Sequence, residues 1–592
     1  MEKQLPQTWD LDVFFAGGST SPAFAAYLDQ LEKDIAKLRE GIAQGKTDLD
    51  TQSALIAEIQ HIAVRLKQAG SFASCLSAQN VKDENAVLAS GRVKTIGAAF
   101  HSALTKWEEQ LLRIPDAEWQ ALLQRDAHVP IAFPLEERRR RAKEKLPPDV
   151  EVLANDLAVD GYHGWQDLYN VVVGRITVEV EHDGKVQQLS VGQAANLMHH
   201  PDRDVRARVF AKWTEAWAKE ADLCAQALNH LGGYRLQLYR HRGWESVIRE
   251  PLDLNRMTEQ TLNAMWEAID RRKDRLVAYL QRKAKLLGVE KLSWFDVAAP
   301  IGSVSRHIPY EEAAAFILEH FGRFSPKLRE LAATAFAEGW VEAEDRPGKR
   351  PGGFCTSFPV SGQSRIFMTY AGNASNVSTL AHELGHAFHQ HVMSGLPPMA
   401  QNYAMNVAET ASTFAEMIVA DASVKQAATR EERIALLEDK VQQTVAYFMN
   451  IQARYLFERR FYEERKNGLV AVARLNQLME EAQRTAFCDA LAAYEPHFWA
   501  SKLHFYITSY PFYNFPYTFG YLFSLSLYAR SLEEGAAFEE KYVALLRDTG
   551  RLTVEELAKR HLGVDIAKTE FWQSAVDLAV ADIEEFLRLT AS

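Results

Sequence analysis

The sequence predicts a mainly α-helical protein with only a few short strands. Three observations carry that prediction. Apolar residues recur at spacings of three and four, with charges between them, over segments such as 24–42, 48–66 and 434–465. Strand-like alternation is confined to two short stretches. The chain has 592 residues, 47% of them hydrophobic, which is enough apolar material for a large helical body or several domains.

In chain order, the first two helices are expected over 24–42 and 48–66. The basic run Glu137-Arg138-Arg139-Arg140-Arg141-Ala142-Lys143 reads as a solvated helix face. Arg175 to Val180 alternates, His182-Asp183-Gly184 supplies an Asp-Gly turn, and Lys185 to Leu189 returns, which is the pattern of a β-hairpin. The second strand candidate, Arg365-Ile366-Phe367-Met368-Thr369-Tyr370, follows the Gly/Pro-rich loop 346–353. No Gly/Ser linker divides the chain. A cut at Pro201-Asp202 gives an N-terminal helical domain, 1–200, that contains the hairpin, and a catalytic domain, 201–592.

The formal charge of -11 is spread along the chain, which argues against a general affinity for nucleic acid or anionic membranes. The 4 cysteines, Cys75, Cys224, Cys355 and Cys488, form no CxxC pair, so neither a disulfide framework nor a thiolate zinc site is expected. Cys355 reads as an inert buried thiol. The first residues form no apolar signal segment, and the most apolar window, Phe515 to Tyr528, is interrupted by Pro516, Thr518, Gly520, Ser524 and Ser526. A cytoplasmic location follows as an expectation, and the oligomeric state is left open.

The chemistry concentrates in Ser375 to His389. Ser375 is the expected N-cap, and Gly395 with Pro397 the expected stop. Val377, Leu380, Ala381, Leu384 and Phe388 form one apolar stripe, and His382, His386 and His389 fall on another face. His382 and His386 lie one turn apart, so both can reach one ion. Zinc accepts imidazole nitrogen at about 2.0–2.1 Å, and Glu383 between the two histidines is placed to act on metal-bound water as general base. Catalytic zinc takes three protein ligands. Downstream, Glu409, Ser412 and Glu416 share a helical face, which reads either as the source of the third ligand or as an exposed acidic face.

Two more regions bear on substrate. The stretch His504 to Tyr521 is dense in tyrosine. Packing suffices for any single ring, whereas the group also suits donation to an oxyanion. The strand around Arg365 and Phe367 is either an ordinary buried strand or one that pairs with an extended substrate. Gly352-Gly353 before it reads as a tight turn or as a mobile loop over the substrate.

These residues together resemble the oligoendopeptidase F branch of the thimet-oligopeptidase family of zinc metallopeptidases. The resemblance rests on Thr8-Trp9-Asp10-Leu11, on His382-Glu383-Leu384-Gly385-His386-Ala387-Phe388-His389, on Glu409-Thr410-Ala411-Ser412 through Glu416, and on His504 to Tyr521 ending in Gly520-Tyr521. It implies a large helical zincin-like fold with a deep central channel, one zinc ion per chain, and internal cleavage of short peptides. It implies His382, His386 and Glu409 as ligands and Glu383 as base. His504 with Tyr513 and Tyr517 would act on the reacting carbonyl, and Tyr510 would bind substrate; Gly352, Gly353, Arg365 and Phe367 are substrate-binding candidates from the loop and strand above. Glu416 would hydrogen-bond a ligand histidine, and His389 would stand behind the ligands and not join them. A helical zinc carboxypeptidase is the alternative within the enzyme class. A peptide-binding protein without turnover and a structural-zinc protein are the alternatives outside it.

Overall fold

Helix propagates here wherever an apolar stripe meets a side-chain cap. In the computed structural model, which describes residues 4–182, 185–302 and 307–591, most residues are helical. Helix α1 (Pro22–Ala43) starts where Ser21 accepts from the Phe24 N–H, with Pro22 in the first turn. It buries Phe24, Leu28, Leu31, Ile35, Leu38 and Ile42, the expected stripe. Helix α2 (Leu49–Gln79) is capped by Asp48 and runs well past residue 66, because Ala69, Phe72, Ala73, Cys75 and Leu76 extend its buried face. Helix α3 (Glu84–Leu111) packs on both. Residues 434–465, expected as one helix, lie in a continuous run that includes a π-helical turn at Ala446–Asn450.

Contacts divide the chain into two compact units, each drawn from three separate segments. The first is Met1–Lys145, Ser305–Ala422 and Leu527–Val564, and the second is Leu146–Val304, Ser423–Ser526 and Asp565–Ser592. Pro201, the expected cut, falls inside the second unit, just before Asp202 caps the long helix α4 (Arg203–His241).

In the second unit, β1 (Thr177–His182) and β2 (Lys185–Ser190) form the expected antiparallel hairpin. The Asp183-Gly184 turn lies outside the described residues. In the first unit, the basic run lies on a helix, Ala132–Glu144, but it is not a freely solvated face. Arg139 is buried and donates to the Leu111 and Ile114 carbonyls, while Arg138 pairs with Glu108 and Arg141 with Glu137.

The first unit also holds a three-stranded sheet of β3 (Val341–Glu342), β4 (Phe354–Phe358) and β5 (Gln363–Phe367), in the order β3-β5-β4. β5 is parallel to β3 and antiparallel to β4. The N-terminal segment is tied to this sheet. Trp9 donates through its backbone N–H to Glu342 and through its indole to Gln79, and its ring meets Phe354 and Phe367. Among the described residues, no helix is long and apolar enough to cross a membrane.

Candidate metal centre

Helix α5 (Ala374–Met393) carries the histidines. Its N-cap is Asn373, not the expected Ser375. Gly372 turns the chain at φ 80°, Asn373 takes the extended cap conformation, and its side chain accepts from the Asn376 N–H, so Ser375 falls within the first turn. The end is as expected, with Ser394 as C-cap and Gly395 at φ 82°. Val377, Leu380, Ala381, Leu384 and Phe388 are buried, while His382 and His386 are half-buried on the other face.

Glu409 sits at a break, between the short turn Met405–Ala408 and helix α6 (Thr410–Gln426), and not within one continuous helical face. The break turns its carboxylate towards α5. Glu409 Oε2 lies 3.2 Å from His382 Nε2 and 3.3 Å from His386 Nε2. The Ser412 hydroxyl donates to the same oxygen at 2.7 Å. Glu416, almost two turns along α6, lies with Oε2 3.1 Å from His382 Nδ1.

This donor set fits a small cation. Donors bound at about 2.0–2.1 Å in a tetrahedron stand roughly 3.3–3.4 Å apart, close to the spacing of the two nitrogens from Glu409. With Nδ1–H given to Glu416, His382 turns the lone pair of Nε2 towards a carboxylate, and only a proton or a metal ion reconciles the two. Burial lowers the His382 pKa, but the hydrogen bonds to Glu409 and Glu416 outweigh it and hold the ring up at about 10. Burial alone would raise the Glu409 carboxyl, but the two histidines hold it well below the usual carboxylate range.

What lets α5 and α6 approach so closely is Gly385. A Cβ there would stand 2.5 Å from the Ala411 carbonyl oxygen and 2.6 Å from Ser412 Cα. The glycine of the His-Glu-Leu-Gly-His segment is therefore a packing requirement, because the helix backbones touch one residue before the second histidine.

Glu383 lies between the two histidines in sequence and is 6% exposed, and its Oε2 makes no hydrogen bond among the described residues. Burial raises its pKa, opposed by the two histidines. Gly353 borders it, since a Cβ on Gly353 would lie 3.3 Å from Glu383 Oε1, and both Gly352 and Gly353 are exposed. Cys355 is close enough to Glu383 to feel its charge. Burial and then that carboxylate push its thiol well up, which keeps it an inert thiol. His389 stays out of the donor triangle. It is buried, 2.9 Å from the Thr549 hydroxyl and stacked on Tyr403, so it braces α5 and not the ligands.

Two expected substrate contacts need correcting. Arg365 is 1% exposed, with its guanidinium donating to the Asp10 and Ser364 carbonyls, and Phe367 is fully buried against Trp9 and Phe354. Both sit on β5, the central strand, whose two edges are already paired, so β5 cannot accept a further strand. The edge of the sheet on that side belongs to β4, with no further strand paired to it among the described residues. Ile366 and Met368 donate to Trp340 and Glu342 on the β3 side, so Arg365 and Phe367 face β4, and Cys355 and Ser357 turn their main-chain groups outwards. The Ser71 hydroxyl takes the Ser357 carbonyl at 2.7 Å, and Gly353 continues the outward row beside Glu383.

The aromatic segment belongs to the second unit. His504, Tyr513, Tyr517 and Tyr510 form one ring cluster. His504 lies 5.4 Å from Tyr513 and 6.2 Å from Tyr517, Tyr513 lies 5.6 Å from Tyr517, and Tyr510 lies 5.7 Å from Tyr513. Tyr506 and Tyr521 are committed elsewhere, Tyr506 stacked on Tyr169 and Tyr521 bonded to Thr444. Burial, then Arg454 and Lys502, lower His504 to about 4, so its ring is neutral near pH 7. Thr508 anchors the loop. Its carbonyl accepts from Tyr162, its hydroxyl lies 2.8 Å from His163 Nδ1, and its hydroxyl and N–H both donate to Gln166. Sequence reasoning missed those anchors because nothing local marks partners more than 300 residues away.

The profile of peptidase family M3 matches residues 196–578, well over half of the chain, and that of oligopeptidase F matches residues 110–177. An oligoendopeptidase F homolog of Lactococcus lactis subsp. lactis (strain IL1403) is 22% identical, over 98% of this chain and 97% of its own length. The group B oligopeptidase PepB of Streptococcus agalactiae serotype III (strain NEM316) is also 22% identical, over the same shares. Among solved structures, a candidate peptidase from Chlamydophila abortus superposes with a TM-score of 0.85 at 18% identity, over 98% of each chain. Oligoendopeptidase-F from Enterococcus faecium superposes at 0.70 and 16%, over 96% of this chain and 99% of its own. The fold is thus that of large, mainly helical peptidases, and the chain belongs to peptidase family M3.

Proposed function

We propose that the chain is a zinc-dependent oligoendopeptidase that hydrolyses internal bonds of short peptides. The observation that carries this reading is the convergence of two imidazole nitrogens on one carboxylate oxygen, at 3.2 and 3.3 Å, with Glu383, whose Oε2 makes no hydrogen bond among the described residues, on the same helix as the histidines. A zinc ion held by His382, His386 and Glu409 would polarise water and the scissile carbonyl, bringing the water pKa towards ~7. Glu383 takes the proton of the attacking water on its carboxylate and returns it to the leaving amine. Burial raises its pKa and makes it a better base than an exposed glutamate. Glu416 fixes the His382 tautomer, and Ser412 fixes the Glu409 rotamer. The outward main-chain groups of Gly353 and Cys355 suit pairing with an extended peptide, as an added strand on β4. The family resemblance assigns donation to the developing oxyanion to neutral His504 and the Tyr513 or Tyr517 hydroxyl.

Relatives named oligoendopeptidase F and oligopeptidase support cleavage within short peptides, and short flexible chains are the partners proposed. The test is to follow an N-acetylated peptide of about ten residues by mass spectrometry, beside a folded protein and its unstructured fragments. Internal fragments from the peptides, with the folded protein left intact, are expected. Release of single C-terminal residues would instead support a carboxypeptidase, and rapid degradation of the folded protein would overturn the limit to short peptides.

A further inference from the structure

We propose that Arg454 and Lys502 form an anion subsite beside His504, and that its ligand is the free α-carboxylate of the peptide substrate. The proposal deepens the peptidase reading and rests on it.

The argument starts from Phe498, in the short helix Phe498–Ser501 of the second unit. Two cations lie against its ring. The Arg454 guanidinium carbon is 5.4 Å from the centroid and Lys502 Nζ is 5.0 Å from it. Neither makes an ion pair within 4 Å among the described residues. Arg454 uses Nε on Asn450 Oδ1 at 2.9 Å, and its two terminal nitrogens, like Lys502 Nζ, make no hydrogen bond among the described residues. Glu495 acts on both cations through space, but its Oε1 already accepts from Trp213 at 2.7 Å and from Ser501 at 3.2 Å.

Both side chains are only partly exposed. Charged side chains drawn out of water normally find a counter-ion, and cation–π contact with one shared phenyl ring returns only part of what desolvation removes. Proximity makes the arrangement costlier. Burial and then Arg454 push Lys502 down to about 8, and burial lowers Arg454 to about 10. A bound anion relieves both.

The donor geometry selects the ligand. Arg454 offers two free terminal nitrogens in a planar fork, which matches a carboxylate bidentately, and Lys502 adds a point charge. Arg454 also lies within electrostatic range of Tyr517, and both cations within range of His504, so the subsite adjoins the ring cluster assigned to substrate. The one carboxylate that every unmodified peptide carries is at its C-terminus.

The experiment compares one nine-residue peptide as free acid and as C-terminal amide. KM and kcat are measured on the wild type, and binding is measured by calorimetry in a Glu383→Gln background, where turnover does not interfere. The wild type is expected to favour the acid at least tenfold, through KM, as a charge-assisted contact implies. Lys502→Met should bring the acid-to-amide ratio close to one, and charge-conserving Lys502→Arg should restore it. Arg454→Met should act in the same direction, and if that variant fails to fold, the Lys502 pair decides. Equal binding of acid and amide by the wild type, or an undiminished preference in Lys502→Met, overturns the subsite. An amide that ends in glutamate distinguishes the sources of the carboxylate, and full recovery there overturns the assignment to the chain end. If neither peptide is cut yet the binding preference persists, the peptidase reading fails and the subsite stands. If both are cut and bound alike, the subsite fails and the peptidase reading stands.

Discussion

Replacing Gly385 by alanine tests the packing on which the metal centre depends. The new Cβ would sit 2.5 Å from the Ala411 oxygen, 2.6 Å from Ser412 Cα and 2.9 Å from the Ala411 carbonyl carbon, all backbone atoms that no rotamer change can move. Ordinary contact needs about 3.5 Å, so α5 and α6 must part by roughly 0.5–1 Å. Alanine in a helix interior is favoured over glycine by about 1 kcal/mol, whereas overpacking costs about 1–3 kcal/mol, and a backbone clash belongs at the upper end. A net destabilisation of about 1–2 kcal/mol is expected. The metal should suffer more, because ligand distances tolerate only about 0.2 Å, and Glu409 stands one residue from the helix that must move. Chelator competition should show at least a tenfold loss of zinc affinity, read beside thermal unfolding of the metal-free protein. A Gly385→Ala variant that is more stable than wild type and holds zinc equally well would refute the argument, since helix propensity alone would then govern the site.

Glu383→Gln should retain zinc and lose activity through kcat, since the residue acts on the proton and not on the metal; near-normal turnover would remove it as the base. Glu409→Ala should lose zinc by elemental analysis, while Glu416→Gln should retain it with about 10–100-fold weaker affinity. Tyr513→Phe or Tyr517→Phe should cost about 10²–10³ in kcat without loss of zinc, and two silent substitutions would shift the donor role to Tyr510 or His504. Glu458 carries a pH dependence of stability. Burial pushes its carboxyl up to about 8, opposed by the Arg235 charge, by the Phe512 N–H and by Asn514. The folded state therefore binds this proton more tightly than the unfolded chain, whose glutamate titrates near 4.3, and stability from this group falls as pH rises from about 4.3 to about 8. Glu458→Gln should flatten that fall in denaturant titrations, and an unaltered pH profile would contradict the assignment.

The two histidines were legible in the sequence, because a spacing of four brings His382 beside His386 whatever surrounds them. Glu409 came forward as the third ligand through the family resemblance, since its spacing to Ser412 and Glu416 is equally that of an exposed acidic face. The place of Glu409 at a helix break was not legible, because Asn406 to Glu416 is compatible with one helix throughout. Nor was the role of β5. Its apolar run reads as a strand, but whether that strand is central or at an edge depends on β3, two residues long and paired from a distance. Arg365 looked like a substrate contact because its strand could pair with an extended peptide, whereas the Asp10 carbonyl that holds its guanidinium lies 355 residues earlier in the chain. Arg454 and Lys502 escaped notice for the same reason, since only the fold brings Arg454 to the Phe498 ring that Lys502 also meets. The residues that chemistry selects at short spacing can be read from the chain, whereas those that depend on distant pairing cannot.

The central claim, that a metal held by His382, His386 and Glu409 is required for peptide hydrolysis, is tested most directly by measuring metal content and activity on the same sample. Protein stripped with a chelator and dialysed should hold no zinc and cut no peptide, and titration with zinc should restore activity in proportion to occupancy, saturating at one ion per chain. Hydrolysis at the full rate by protein that elemental analysis shows to be metal-free would contradict the account.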